Sequence, residues 1–311
     1  MTISVLITTR NRAEILKRCL KSLERQSTRP NEVIVVDNDS SDNTKTVINS
    51  FRSLRIRYLF EKKIGIAFGR NRGLAEAKGN ILAFIDDDCI ASRNWIKEIE
   101  KSFKKNVDIV GIVGRSKNMF TQNPYACAEQ CWFLYWYLKH ISISNKEEIL
   151  NDGELINFKN MALRKSFIRQ TRFNTKLTTG KFSEEDTEIR KRLFKKLRLK
   201  EKITYQPKVI VYHKNRSSFL QLLLRRFYKG VALAELCQKK KIITVNCFKR
   251  QYLFLKWMKS IVPEMERLDH LHDQVLCFFC IPLLPIFSKI GFIFYYVRRA
   301  LGFPLSTQSD G

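Results

Sequence analysis

Asp86, Asp87 and Asp88 stand side by side directly after the apolar run Ile81-Leu82-Ala83-Phe84-Ile85. A short apolar run that stops at a polar turn reads as a buried strand. The three carboxylates cannot belong to the core, because an unpaired buried carboxylate costs several kcal/mol. Side by side they also repel one another unless a cation sits among them. Open α/β sheets place ligands at the carboxyl ends of their parallel strands. The triplet therefore reads as a metal-and-phosphate site at the mouth of a cleft, against the plainer reading of an acidic solvated turn. A second acidic group, Glu184-Glu185-Asp186, follows Ser183. Ser183 suits a helix N-cap, and the acids then suit the first helical turn. The other reading makes one of them a general base above a cleft. A base beside a metal–diphosphate site fits group transfer: the metal stabilises a diphosphate leaving group while the base takes a proton from an attacking hydroxyl.

The elements that must position these groups alternate along the first half of the chain. Ile3 to Ile7 is a strand that ends at Thr8-Thr9-Arg10-Asn11-Arg12. Asn11 and Glu14 form a capping pair for a helix whose Leu16, Cys19, Leu20 and Leu23 share one face. Glu32 to Asp37 is a second buried strand, again ending in an acid, followed by the turn Asn38-Asp39-Ser40-Ser41-Asp42 and a short helix with Val47 and Phe51 on one side. Arg55 to Phe60 is a strand, Gly65 to Lys78 a helix stopped at Gly79, and the strand into Asp86 follows. A helix over Trp95 to Phe103 and a strand over Asp108 to Val113 continue the alternation. Strand and helix at these intervals predict an α/β fold, Rossmann-like, with a mostly parallel sheet flanked by helices. Beyond it, Ile156 to Leu163 is strand-like, Ile189, Leu193 and Leu197 align on a helix, and Ile203 to Tyr205 and Val209 to Tyr212 are extended, the latter ending at His213.

The 311 residues carry 57 Lys and Arg against 30 Asp and Glu, a net charge of +27. A surface so basic seeks polyanions: nucleic acid, anionic lipid headgroups or phosphorylated substrates. Eight scattered cysteines include Cys277-x-x-Cys280 inside an apolar run, with no second pair near it, and read as buried thiols in a reducing compartment. The N-terminal apolar stretch is short and ends in basic residues, so it predicts a strand and not a signal peptide, and the folded part is expected to face the cytoplasm. His140, His270 and His272 have no partner acids at ligand spacing and read as structural.

The aromatic run Trp132, Phe133, Tyr135, Trp136, Tyr137 reads as apolar surface in the fold or at a membrane, with base stacking as the alternative. From Ser217 the chain reads as helical. Residues 275–297 hold a single charge, Lys289, and are long enough to cross a bilayer. Pro282 and Pro285 leave a kinked span, a re-entrant hairpin, an interfacial helix and a core helix all open, and Arg298-Arg299 suit basic anchors. The expected division is a catalytic domain over 1–215 and a helical, membrane-associating region over 216–311. The basic run from Arg190 to Lys202 is a solvated helix face or touches anionic lipid.

In order along residues 3 to about 215, the chain resembles the family 2 glycosyltransferases, enzymes of the GT-A fold. Ser4 to Arg12 is similar to the family's opening strand and nucleotide loop, and Glu32 to Asp42 to its second strand with a nucleoside-binding acid. Gly69-Arg70-Asn71-Arg72-Gly73 resembles the helix before its metal motif, and Phe84 to Asp88 the DxD motif itself. Asn160-Met161-Ala162 resembles its acceptor-side loop, Glu185 to Glu188 its ED motif, and Val211-Tyr212-His213 a later histidine near metal and diphosphate. The chain departs from the pattern at Lys159, where many members have a small residue, and at Glu184, where Gly is frequent. The resemblance implies an inverting transfer from a nucleotide-diphosphate sugar to a hydroxyl of a lipid-linked or polysaccharide acceptor, at the cytoplasmic face of a membrane with an anionic surface. It implies Asp186 as the base with Glu185 beside it, and donor contacts from Thr8, Arg10, Asp37, Asp39, Arg70, Asn71, Asp86 and Asp87. Asp88, Asp86 and His213 would hold Mg²⁺ or Mn²⁺, ions that take hard oxygen ligands. The alternative from another class is a basic nucleic-acid-binding protein or metal-dependent nuclease. Against it, the acids follow apolar strands and no nucleic-acid-binding motif is present, so no nucleic acid is expected as a partner.

Overall fold

The computed structural model describes residues 1–140, 146–151, 153, 156–177 and 185–240, with 280, 281, 283, 286–290, 293 and 294. In chain order the elements are β1 (Ile3–Thr9), α1 (Ala13–Glu24), β2 (Glu32–Asp37), α2 (Thr44–Ser50), β3 (Ile56–Phe60), α3 (Ile66–Glu76), β4 (Ile81–Ile85), β5 (Cys89–Ala91), α4 (Trp95–Lys105) and β6 (Ile109–Asn118). There follow α5 (Pro124–His140), β7 (Glu148–Ile149), β8 (Asn160–Arg164), α6 (Lys165–Ile168), a 3₁₀ turn (Thr175–Leu177), α7 (Glu185–Lys195), β9 (Lys202–His213) and α8 (Phe219–Lys240).

The strands form one sheet in the order β3-β2-β1-β4-β8-β6-β9-β5, with β7 paired to β9. Neighbouring strands from β3 to β4 pair in parallel, and inside the sheet this accounts for the apolar runs of β2 and β4, every residue of which is buried, whereas the edge strand β3 has no buried residue. β8 enters antiparallel between β4 and β6, so β6 points the same way as β4. The strand-and-helix alternation could not show this, because the chain reaches β8 only after β6. The core gathers Leu16, Cys19, Leu20 and Leu23 of α1, Val33 and Val35 of β2, Ile81 and Ala83 of β4 and Trp95, Ile96 and Ile99 of α4.

Several local expectations change. Asn11 and Glu14 do not cap α1, whose N-cap is Arg12 without a side-chain bond. Asn11 instead takes a left-handed φ of 50° and accepts from the Ser41 amide, while Asp42 accepts from the Ala13 amide. α3 ends at Glu76, short of Gly79. Gly79 serves close approach: a Cβ there would lie 2.6 Å from the Ser4 backbone nitrogen. The two extended segments before His213 are one strand, β9, running through Pro207.

By contact the chain divides into two units. One comprises Met1–Lys117, Ile143–Thr178 and Glu185–His213, and the other Asn118–Ser142, Thr179–Glu184 and Lys214–Gly311. The second has its own small core of Cys127, Ala128, Cys131, Leu222, Cys280 and Ile281. Cys19, Cys89, Cys127, Cys131 and Cys280 are buried and stand in no disulfide among the described residues. No described helix is long and apolar enough to cross a membrane. Much of the 275–297 stretch lies outside the described residues, as do Ser183, Glu184, Cys277, His270 and His272.

Candidate active site

The described acidic groups singled out by sequence, Asp37 with Asp39, Asp86 with Asp87 and Asp88, and Glu185 with Asp186, lie in the first unit. Arg70 is what joins two of them. It sits on the inward face of α3 with Ala67, Gly73 and Leu74, and is 5% exposed. Its guanidinium lies over the rings of Phe158 and Phe173, 5.5 and 5.2 Å from their centroids. From this aromatic seat it donates to Asp86 Oδ1 at 3.4 Å, Glu185 Oε1 at 3.1 Å and Asp186 Oδ1 at 2.5 Å. A residue of the triplet after β4 and two residues opening α7 are thereby held on one cation. The sequence flagged Arg70 through the resemblance alone; Phe158 and Phe173 carried no signal, since a ring that packs on a cation is spelled like any core residue.

Asp87 turns away from its neighbours. It is buried, accepts from Thr9 Oγ1 at 2.7 Å and from Arg12 Nη1 at 3.0 Å, and so ties the triplet to the end of β1. Burial pushes its pKa up, opposed by Arg12. Asp88 lies 3.7 Å from the same Arg12 nitrogen and 3.5 Å from His213 Nε2. The antiparallel pairing of β5 with β9 sets Cys89 opposite His213, and this brings a histidine from far along the chain to the triplet. Arg12, which the sequence reading did not single out, bridges two of the three acids.

Asp37 ends β2 opposite Thr9 of β1. One of its oxygens accepts from Tyr58 Oη at 3.0 Å and the other from the Ser40 amide at 3.0 Å. Burial, then Asp37, pushes the Tyr58 hydroxyl up to about 12. Asp39 follows with a left-handed φ of 61°. Thr8 lies under Gly69 of α3, where a Cβ would come within 2.4 Å of its methyl group. Arg10 is exposed just past β1. The Asn71 side chain exchanges two bonds with the backbone of Phe173, at 2.9 and 2.8 Å, and so braces the loop that covers Arg70.

Asn160 departs from the expected acceptor-side loop. It lies in β8 opposite Ile85, fully buried, accepting from Trp95 Nε1 at 2.9 Å and donating to the carbonyls of Arg115 and Val209 at 3.0 and 2.9 Å. It is a knot between strands, next to the triplet but turned from it.

Five carboxylates (Asp86, Asp87, Asp88, Glu185, Asp186) meet two guanidiniums (Arg12, Arg70), so the site carries surplus negative charge. The consequence appears at Asp86: burial, with Asp88, Asp186 and Asp87 adding to it against Arg70, pushes its pKa from 3.8 to about 6. Among the described residues no three side chains form a ready-made cation cage. The donor set nonetheless fits Mg²⁺ or Mn²⁺: Asp86 and Asp88 offer hard oxygens, His213 an imidazole, and such ions fill the remaining positions with phosphate oxygens and water. Cys19 and Cys89 supply no nucleophile, since burial pushes both thiols well up.

Residues 4–170, more than half of the chain, match the family described as Glycosyl transferase family 2. The chain belongs to this family. Among curated relatives, validoxylamine A glucosyltransferase of Streptomyces hygroscopicus subsp. limoneus is 38% identical over 102 residues, covering 31% of this chain and 22% of that protein. The GalNAc(5)-diNAcBac-PP-undecaprenol beta-1,3-glucosyltransferase of Campylobacter jejuni is 37% identical over 90 residues, covering 28% and 29%. The matched stretch thus spans less than a third of either relative. The mannosyltransferase PcManGT from Pyrobaculum calidifontis, solved with GDP-Man and Mn²⁺, is similar over 96% of this chain and 87% of that one, at 14% identity and a TM-score of 0.55. At that identity the likeness establishes a shared GT-A-like α/β fold. The match in sequence covers the β1 loop, the β2 acid and the triplet, but ends before Glu185 and Asp186.

Proposed function

We propose that this protein is an inverting glycosyltransferase that moves a sugar from a nucleotide-diphosphate sugar to a hydroxyl of a lipid-linked or polysaccharide acceptor. The observation that carries the reading is the Arg70 clamp, which puts Asp186 and Asp86 on one guanidinium. A base and a diphosphate site must lie within one substrate length for direct displacement. Asp186 is the base. Its Oδ1 is held by Arg70, and its side chain is 36% exposed, which leaves the carboxylate open to an incoming hydroxyl. Glu185 is buried under the clamp, and its part is to anchor Arg70 and so position Asp186. The acceptor proton passes to Asp186, the acceptor oxygen bonds to the anomeric carbon from the face opposite the leaving group, and the bond from that carbon to the phosphate oxygen breaks.

Asp86, Asp88 and His213 would hold a divalent ion, which neutralises charge on the diphosphate. Asp37 and Asp39, with Thr8 and Arg10, border the end of β1 and β2 where the nucleoside binds; Asp37 keeps spare lone pairs beyond its two bonds in the fold. Asp87 and Asn71 serve the donor indirectly, by fixing β1 and the Phe173 loop. The acceptor class is supported by the undecaprenol-linked name of the Campylobacter relative, and nucleotide sugar and metal by the GDP-Man and Mn²⁺ of the Pyrobaculum protein. A lipid-linked acceptor and a net charge of +27 support work at an anionic membrane surface. No observation favours the nuclease alternative.

The test is Asp186→Asn. It should retain binding of a nucleoside diphosphate with Mn²⁺ and lose roughly 10²–10⁴-fold in kcat. Turnover at the parental rate would remove Asp186 from the role of base.

A further inference from the structure

α1 carries Arg18, Lys21 and Arg25 at spacings of three and four residues, along one stripe of the helix. Arg93, just after β5, meets that stripe, and the four cations line a concavity of about 420 Å³ together with Ser22, Ile90 and Ala91. None of these residues belongs to the acidic site. The hollow is firmly built. Ser22 Oγ accepts from the Ala91 amide at 3.0 Å, Gln26 Nε2 donates to the Ser92 carbonyl at 2.7 Å, and the Ser27 amide donates to the Arg93 carbonyl at 2.9 Å.

Some exposed cations elsewhere on this unit have acidic partners: Lys104 with Glu100 at 2.8 Å, Lys105 with Glu147 at 2.9 Å, Arg72 with Glu76 at 3.8 Å. Among the described residues none of Arg18, Lys21, Arg25 and Arg93 lies within ion-pair distance of a carboxylate, and no acid lines the hollow. Four like charges around one concavity repel unless an anion sits between them, and Arg in particular matches phosphate oxygens two at a time. The volume exceeds what a bare phosphate needs and suits a phosphate carrying a small polar group.

We propose that this hollow is a second anion site, separate from the transfer site, which binds a phosphate ester, presented by a lipid headgroup or by a small soluble molecule. The two sources are separated by two probes on the full chain: phosphatidylcholine vesicles doped with phosphatidylglycerol, and glycerol 3-phosphate in solution. The variants are Arg18→Gln/Arg93→Gln and the charge-keeping Arg18→Lys/Arg93→Lys. At about fivefold per cation, the Gln pair should weaken binding of the recognised probe roughly thirtyfold, and the Lys pair far less. Donor hydrolysis and melting temperature should stay at parental values, since neither residue belongs to the catalytic machinery or the core. If the Gln pair fails to fold, Lys21→Gln/Arg25→Gln reads the same hollow. The same change at exposed cations outside the hollow, Lys97→Gln/Lys101→Gln, should cost far less, and an equal loss there would assign binding to the diffuse basic surface and overturn the proposal. Loss with vesicles alone identifies a lipid, and loss with glycerol 3-phosphate identifies a soluble ester. Parental affinity in the Gln variants, or a wild-type chain that binds neither probe, overturns the proposal.

Discussion

Arg70 and Asp86 show how a single residue can be both scaffold and chemistry. Arg70 is buried against two rings with three carboxylates in reach. Arg70→Met keeps most of its volume but leaves Glu185 buried without its cation, which should cost about 3–5 kcal/mol in denaturant unfolding. An unchanged unfolding midpoint would mean that Glu185 finds another partner at no cost. Asp86 makes a pH prediction with a definite sign. Its folded pKa, about 6, lies above its usual 3.8, so the folded state binds the proton more tightly. Its contribution to stability is therefore fully present below about 3.8 and is lost as pH rises through 6. The ion-free Asp86→Asn variant should gain on the parent with rising pH, reaching about 1 kcal/mol at pH 7.5 after allowance for the part of the side chain that stays in water. Mn²⁺ should stabilise the parent more at pH 7.5 than at pH 5. Melting curves across this range check both statements, and a gap that does not widen with pH sinks them.

At the scale of elements, β8 and β9 bring together what the chain keeps apart. β9 sets His213 against β5 and thus beside Asp88. β8 joins β4 to β6, and Asn160 pins this junction with three bonds to three other segments. Asn160→Ala would leave the Trp95 indole N–H and two carbonyls buried without partners, at roughly 1–3 kcal/mol each where no water enters. A loss of about 3 kcal/mol in total, read from a lowered denaturant midpoint with unchanged slope, is expected. A loss under about 1 kcal/mol would show that water or a shifted strand takes over those bonds. Since Ile85 faces Asn160 and Asp86 follows directly, the same variant should also weaken Mn²⁺-dependent nucleotide binding.

For the whole molecule, the prediction concerns linkage between ion and nucleotide. A nucleoside diphosphate and Mn²⁺ that bind only the folded chain should raise its melting temperature together, by about 2.7 kcal/mol at a hundredfold excess over Kd, which amounts to several degrees. Either one alone should do much less, because surplus acid repels the diphosphate and the cation shell is incomplete without it. A panel of nucleoside diphosphates by thermal shift would also identify the base. Equal shifts with and without metal would remove the ion from the donor site.

Read alone, the sequence determined the parallel half of the sheet, the core face of α1 and the family, and it singled out the acids at 37, 86–88 and 186 as candidates. Each of these is written in local pattern: apolar runs that stop at acids, heptad-like spacing on α1, and motifs in a fixed order. Tertiary structure alone decided that Arg70 gathers Asp86, Glu185 and Asp186, that Asp87 faces inward, that Asn160 is a knot and not a loop, and that β8 runs antiparallel. It also decided that Arg93 lines one hollow with three cations of α1. These depend on contacts between residues dozens of positions apart, where burial, register and charge are set by neighbours that no local window contains.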